Sequence, residues 1–179
     1  MKVIISRTGP ALRGPLAGRG FTLVELMIAI AVFAILLAIA VPSFRDASLG
    51  ARLSSIANNM VASVQLARSE AIKRNAAITL CASSDGSTCD DDVDWDTGWV
   101  VRDDGAGTVI QVQQSLPAGW KLTQSGGTSQ LSFQPIGVGA TAATFTACRS
   151  NPVGKQERVV TVTATGMAYV TSTATGTCP

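Results

Sequence analysis

No histidine occurs among the 179 residues. That excludes Ser-His-Asp and Cys-His catalysis, and with them the usual histidine-ligated metal hydrolases. No Gly-rich phosphate loop appears either. The four cysteines include no Cys-x-x-Cys pair, which together with the missing histidines argues against a zinc centre. Acidic residues are absent before Glu25, and the charges of the first twenty residues, Lys2, Arg7, Arg13 and Arg19, are all positive. These absences leave little for an enzyme to work with. No cofactor is expected, and the informative features are those of anchoring and partnership.

The strongest of them is an apolar run. From Phe21 to Val41 the chain carries one charge, Glu25. At about 1.5 Å per residue this stretch makes a helix of roughly 31 Å, the thickness of one hydrocarbon core. An acidic side chain inside such a span costs at least ~2.5 kcal/mol even on lenient insertion scales. Glu25 therefore needs a cation that the span itself does not contain.

The basic residues 1–20 include Pro10, Pro15 and several glycines and have the composition of a flexible leader. Their charge holds that end in the cytoplasm. An ordinary secretory signal is cut after its apolar core, whereas here the small residue, Gly20, precedes it. Cleavage after Gly20 would keep the apolar helix on the mature protein. It would also create an α-amino group at Phe21, largely protonated at neutral pH and four residues from Glu25.

Gly20-Phe21-Thr22-Leu23-Val24-Glu25, with Pro42 further along, resembles the class III signal of type IV pilins and type II secretion pseudopilins. The resemblance implies that a prepilin peptidase cuts after Gly20 and methylates the new N-terminal Phe21. It also implies that Glu25 pairs with the N-terminus of a neighbouring subunit during fibre assembly. The implied setting is a bacterial inner membrane, crossed once, with the C-terminal part in the periplasm.

Beyond Pro42 the pattern becomes amphipathic. Leu49, Leu53, Ile56, Met60, Val64, Ala67 and Ala71 recur at spacings of three or four, which draws one apolar stripe along a helix. Arg52, Asn59, Ser63, Arg68, Glu70, Lys73 and Arg74 lie mostly off it. The helix is expected to run from about Phe21 to Arg74, with a kink at Pro42 where a backbone hydrogen bond is lost. After Asn75 eight short β-type segments follow: 77–81, 98–102, 108–113, 120–123, 130–133, 144–148, 158–163 and 167–171.

The expected fold is α+β: a long N-terminal transmembrane and amphipathic helix packed on a C-terminal antiparallel β-sandwich-like head. The expected segments are a cleaved leader (1–20), a membrane half-helix (21–41), an amphipathic half-helix (42–75) and the head (76–179). Past Asn75 five basic side chains face nine acidic ones, so the positive charge of the whole chain belongs to its leader.

Cysteines in an exported domain point to disulfides, and four of them allow three connectivities. Nearest-neighbour pairing joins Cys81 to Cys89 and Cys148 to Cys178. Loop entropy gives these bridges roughly 2.6 and 3.7 kcal/mol. The acidic run Asp90-Asp91-Asp92-Val93-Asp94-Trp95-Asp96 raises calcium: Asp92, Asp94, Asp96 and Asp103 have EF-hand-like offsets. The sixth loop position is Thr97, however, with the glycine one residue late at Gly98, which favours a solvated acidic loop.

The second half narrows the resemblance. Leu66 to Arg74, Leu80-Cys81, Trp95-Asp96-Thr97-Gly98-Trp99-Val100-Val101 and Phe133-Gln134-Pro135-Ile136-Gly137 are similar to the GspH/FimT group of minor pseudopilins, as are Cys148 and the final Cys178. This implies a minor subunit near the tip of a short fibre, contacting other pilin or pseudopilin subunits or cargo. One branch of the group binds DNA through a Gly-Arg-x-Arg motif, and a DNA-binding minor pilin for natural transformation is the alternative. The matching place here reads Gly166-Met167-Ala168-Tyr169, without either arginine, and the net-acidic head lacks the basic cluster that phosphate binding needs.

Overall fold

The computed structural model describes residues 20–137 and 140–178. One helix, α1, covers Leu23–Arg74, and eight strands follow it: β1 (Ile78–Ala82), β2 (Trp99–Asp103), β3 (Thr108–Gln113), β4 (Trp120–Ser125), β5 (Gln130–Phe133), β6 (Ala143–Arg149), β7 (Glu157–Val162) and β8 (Ala168–Thr173). All eight expected segments are strands. Thr108–Gln113 and Gln130–Phe133 have the expected bounds, and the other six differ by one or two residues at one or both ends, where flanking polar residues blur the period. The helix begins two residues later than expected because Thr22 caps it.

Contacts divide the chain into a unit ending at Pro42 and a unit from Ser43 onward. In the first, every described residue is exposed, including Phe21, Leu26, Ile28, Phe33 and Ile39. A continuous apolar surface of this extent needs a cover, and the helix is long and apolar enough to cross a membrane.

In the second unit the helix and strands share one core. Antiparallel pairing builds two four-stranded sheets, ordered β3-β2-β1-β5 and β4-β6-β7-β8. All seven residues of the predicted helical stripe are buried. They join Ile78 and Leu80 of β1, Val101 of β2, Leu131 and Phe133 of β5, and Leu122, Phe145 and Val160 of the second sheet in a single cluster. Strand β1 is buried along its whole length because β2 and β5 flank it on both edges. Trp95, in a single 3-10 turn (Trp95–Thr97), meets Phe145 edge to face at 4.8 Å between ring centroids and so ties the turn to the second sheet.

Gly98 follows this turn with φ +126°, and a Cβ there would lie 2.7 Å from the Gln113 carbonyl oxygen. The Trp-Asp-Thr-Gly-Trp sequence thus needs its glycine for backbone approach.

Two polar residues expected off the apolar stripe are buried instead. The Ser63 hydroxyl donates to the Asn59 carbonyl (3.0 Å) and accepts from Trp99 Nε1 (2.9 Å), so the serine serves an indole inside the core. Glu70 is buried but ion-paired with Arg74 and Lys73 on its own helix. Ser63→Ala would strand the Trp99 N–H, and the expected loss is roughly 1–3 kcal/mol. Urea unfolding of the full chain in detergent measures it. A loss under about 0.5 kcal/mol, the scale of surface substitutions, would contradict the role given to this hydroxyl.

Candidate functional site

The features that bear on function lie at two places, the start of α1 and the loops and tail of the head. At the helix start, Thr22 precedes the first helical residue. Its hydroxyl accepts from the Glu25 backbone N–H (3.2 Å), and its carbonyl accepts from Leu26 N–H (3.1 Å). This is one half of a capping box, Ser/Thr-x-x-Glu, whose signal stands in the sequence and whose threonine the sequence reading did not single out. The cap engages the backbone of Glu25, while among the described residues its carboxylate has no ion-pair partner. Gly20, Phe21, Thr22 and Glu25 line one cleft, with Phe21 76% exposed. The glycine, the phenylalanine and the acid are thus presented together at the open end of an apolar helix. Lys2, Arg7, Arg13 and Arg19 lie outside the described residues.

In the head, Cys81 bonds to Cys89 and Cys148 to Cys178, each pair with Cα atoms 5.5 Å apart. The first bridge closes a loop whose one carboxylate, Asp85, is occupied internally. Asp85 accepts the backbone N–H groups of Ser87 (2.7 Å) and Thr88 (2.8 Å) and the hydroxyls of Thr88 and Ser83. Led by the Thr88 N–H, these bonds hold its carboxyl far below the ordinary 3.8. The Ser129 hydroxyl and the Gln130 amide do the same, less strongly, for Asp91.

The four carboxylates with EF-hand-like offsets are placed apart in the fold. Asp96 pairs with Lys121 (2.9 Å), which Asp94 also approaches (3.9 Å). Asp103 is carried away on β2, where it accepts from Ala106 N–H and lies 3.8 Å from Arg74. Among the described residues no group of three or more potential ligands is placed to hold a metal ion.

The second bridge is accompanied by a clasp that the sequence did not announce. Glu157, at the start of β7, is 2% exposed. It accepts from the Thr173 hydroxyl (2.8 Å), Thr175 N–H (3.0 Å) and Gly176 N–H (2.8 Å). Burial pushes its carboxyl up, and the bonds from Thr175, Thr173 and Gly176 together outweigh that, so it titrates below the ordinary range. Glu70 also titrates low, held first by Arg74 and then by Lys73.

All four shifted carboxyls have folded values below their unfolded ones, 3.8 for Asp and 4.5 for Glu. Their stabilisation is complete above the unfolded values and is lost as pH falls through the folded ones. The melting temperature is therefore expected to hold from neutrality down to about pH 5 and to fall below that. Thermal melts by circular dichroism at neutral and acid pH check this, and an unchanged midpoint in acid would contradict it. These shifts also run opposite to what a general acid needs.

The place corresponding to the Gly-Arg-x-Arg motif is the β7–β8 turn. Gly166, at φ +73°, donates to the Thr163 carbonyl (2.8 Å), and Met167 and Tyr169 are exposed where the arginines would stand.

Residues 57–166 match the family described as Type II transport protein GspH, more than half of the chain. The chain belongs to the GspH family. Residues 17–41 of this GspH-family chain also match the prokaryotic N-terminal methylation motif, which contains Gly20, Phe21 and Glu25. Among solved structures, the type IV minor pilin FimU of Pseudomonas aeruginosa is similar at a TM-score of 0.53 and 22% identity, over 66% of this chain and 92% of that one. The minor pseudopilin EpsH from the Type 2 Secretion System of Vibrio cholerae is similar at a TM-score of 0.51 and 15% identity, over 67% and 96%. At these identities the likeness concerns the fold: a long helix packed on antiparallel sheets. The GspH family is one of pilin-like structural subunits, not enzymes, and its methylation motif implies processing by prepilin peptidase.

Proposed function

We propose that this chain is a minor subunit of a type II secretion pseudopilus or a type IV pilus, and that its work is assembly. Prepilin peptidase removes residues 1–20 by cutting after Gly20, and Phe21 becomes the methylated N-terminus. Residues 21–41 hold the subunit in the inner membrane with its head, residues 76–179, in the periplasm on the amphipathic half-helix 42–75. During assembly Glu25 meets the N-terminal ammonium of a neighbour, and the head contacts other minor subunits or cargo.

The observation that carries this reading is the capped helix start. Thr22 satisfies the Glu25 N–H, while Phe21 and the glutamate stand exposed at the start of a helix long and apolar enough to cross a membrane. A carboxylate in that place costs energy until a cation arrives, and processing supplies one on every subunit.

The test is deletion of the gene with extracellular enzyme secretion, twitching and DNA uptake scored side by side. Loss of secretion or of twitching supports the reading and assigns the machine. Unchanged secretion and twitching, together with an uncleaved tagged chain, would refute it.

A further inference from the structure

One groove of the head is basic although the head as a whole is acidic. It has a volume of ≈380 Å³ and is lined by Phe44, Arg45, Ser48 and Arg52 from α1, by Trp120 at the start of β4 and by Arg149 at the end of β6. None of its lining residues is acidic. Among the described residues no carboxylate lies within 4.0 Å of the three guanidinium groups. Arg149 lies over the Trp120 ring, 5.6 Å from its centroid, which orients the guanidinium while leaving its N–H groups without a carboxylate.

We propose that this groove binds the head group of an anionic phospholipid in the leaflet on the head's side of the membrane. The proposal rests on the membrane reading above, and two observations support it. Connectivity keeps Arg45 close to the end of the apolar run, because it follows Val41, the last residue of that run, by four residues, which reach at most roughly 14 Å even fully extended. Composition matches the interface as well: an exposed Phe44 and a half-buried Trp120 suit the boundary layer, while arginine forks recognise phosphate oxygens.

A free anion would not need the aromatic pair. A DNA backbone would have to approach a head carrying nine acidic side chains against five basic ones past Asn75.

The test uses the full chain in neutral detergent micelles, titrated with phosphatidylglycerol or phosphatidylcholine and read by native mass spectrometry. Phosphatidylglycerol is expected to be retained preferentially. Each Arg→Gln change at 45, 52 or 149 should weaken that retention roughly fivefold, with phosphatidylcholine unaffected. Arg45→Gln with Arg52→Gln, at two exposed helix positions, keeps the test valid if changing Arg149 disturbs folding.

Equal retention of the two lipids, or undiminished phosphatidylglycerol binding by the variants, would overturn the proposal. Full displacement of phosphatidylglycerol by excess inorganic phosphate would reassign the groove to free anions. A duplex-DNA shift abolished by the same variants would reassign it to nucleic acid. None of these outcomes touches cleavage at Gly20 or fibre incorporation, which test the assembly reading separately.

Discussion

Glu25→Val is expected to leave the chain cleaved and membrane-inserted but largely missing from the fibre. Valine removes the cost of at least ~2.5 kcal/mol that a carboxylate brings to the span, so insertion is no harder. The cap survives, because Thr22 accepts the backbone N–H of residue 25 rather than anything on its side chain. What the change removes is the counter-charge for a neighbour's ammonium in a medium of low dielectric. Breaking one side of such a pair costs about 3–5 kcal/mol, a factor of a hundred or more in incorporation. Sheared-fibre fractions probed for the tagged subunit measure this, alongside membrane fractions and the mass of the mature chain. Normal incorporation of the valine variant would remove the pairing from the mechanism. Failed cleavage would instead move the role of Glu25 to the peptidase.

Opening the tail should have the largest effect on stability. Cys148→Ala with Cys178→Ser is expected to lower it by about 3.7 kcal/mol from loop entropy, against about 2.6 for the pair Cys81→Ala and Cys89→Ser. For a domain of this size the larger loss corresponds to a melting point lower by roughly 10–15 °C. The prediction has a second part because the Cys148–Cys178 bridge and the Glu157 clasp hold the same few residues. Glu157 takes its bonds from Thr173, Thr175 and Gly176, and Cys178 is bridged two residues later. With the bridge intact, Glu157→Gln faces backbone donors with a weaker acceptor on a tail that cannot leave. With the bridge gone, the clasp alone determines whether the tail stays. The two changes should therefore be non-additive in a double-mutant cycle of thermal melts, and strict additivity would show that they act independently. Limited proteolysis provides a second readout, with cleavage between Thr173 and Cys178 appearing only when the bridge or the clasp is lost.

The parts of the fold that were legible depend on local periodicity. The stripe Leu49, Leu53, Ile56, Met60, Val64, Ala67 and Ala71 repeats with the helix period, and all of it is buried. Strand segments showed as β-type runs between Gly, Ser, Asp and Pro clusters, so their existence was readable while their ends were not. The helix-start residues were equally open to reading, since glycine, phenylalanine, threonine and glutamate fall within six consecutive positions.

Ser63 was misplaced for a different reason. Its polarity put it on the solvent side, and the group that makes its burial tolerable, the Trp99 indole, is 36 residues away. The EF-hand-like offsets of the acidic run were no better a guide to where its carboxylates lie. Offsets of two residues describe a loop only while the chain stays in that loop, and β2 takes Asp103 into a sheet.

A residue's period and the chemistry of its near neighbours are properties of the chain, and they specified the membrane-length apolar run, the methylation motif and the amphipathic half-helix. The order of strands in two sheets, the burial of Glu157, the match of Lys121 to Asp96, and the gathering of Arg45, Arg52 and Arg149 around Trp120 came only with tertiary structure. Each of these joins groups separated by tens of residues, and their stabilities depend on burial and distance, which no local pattern encodes.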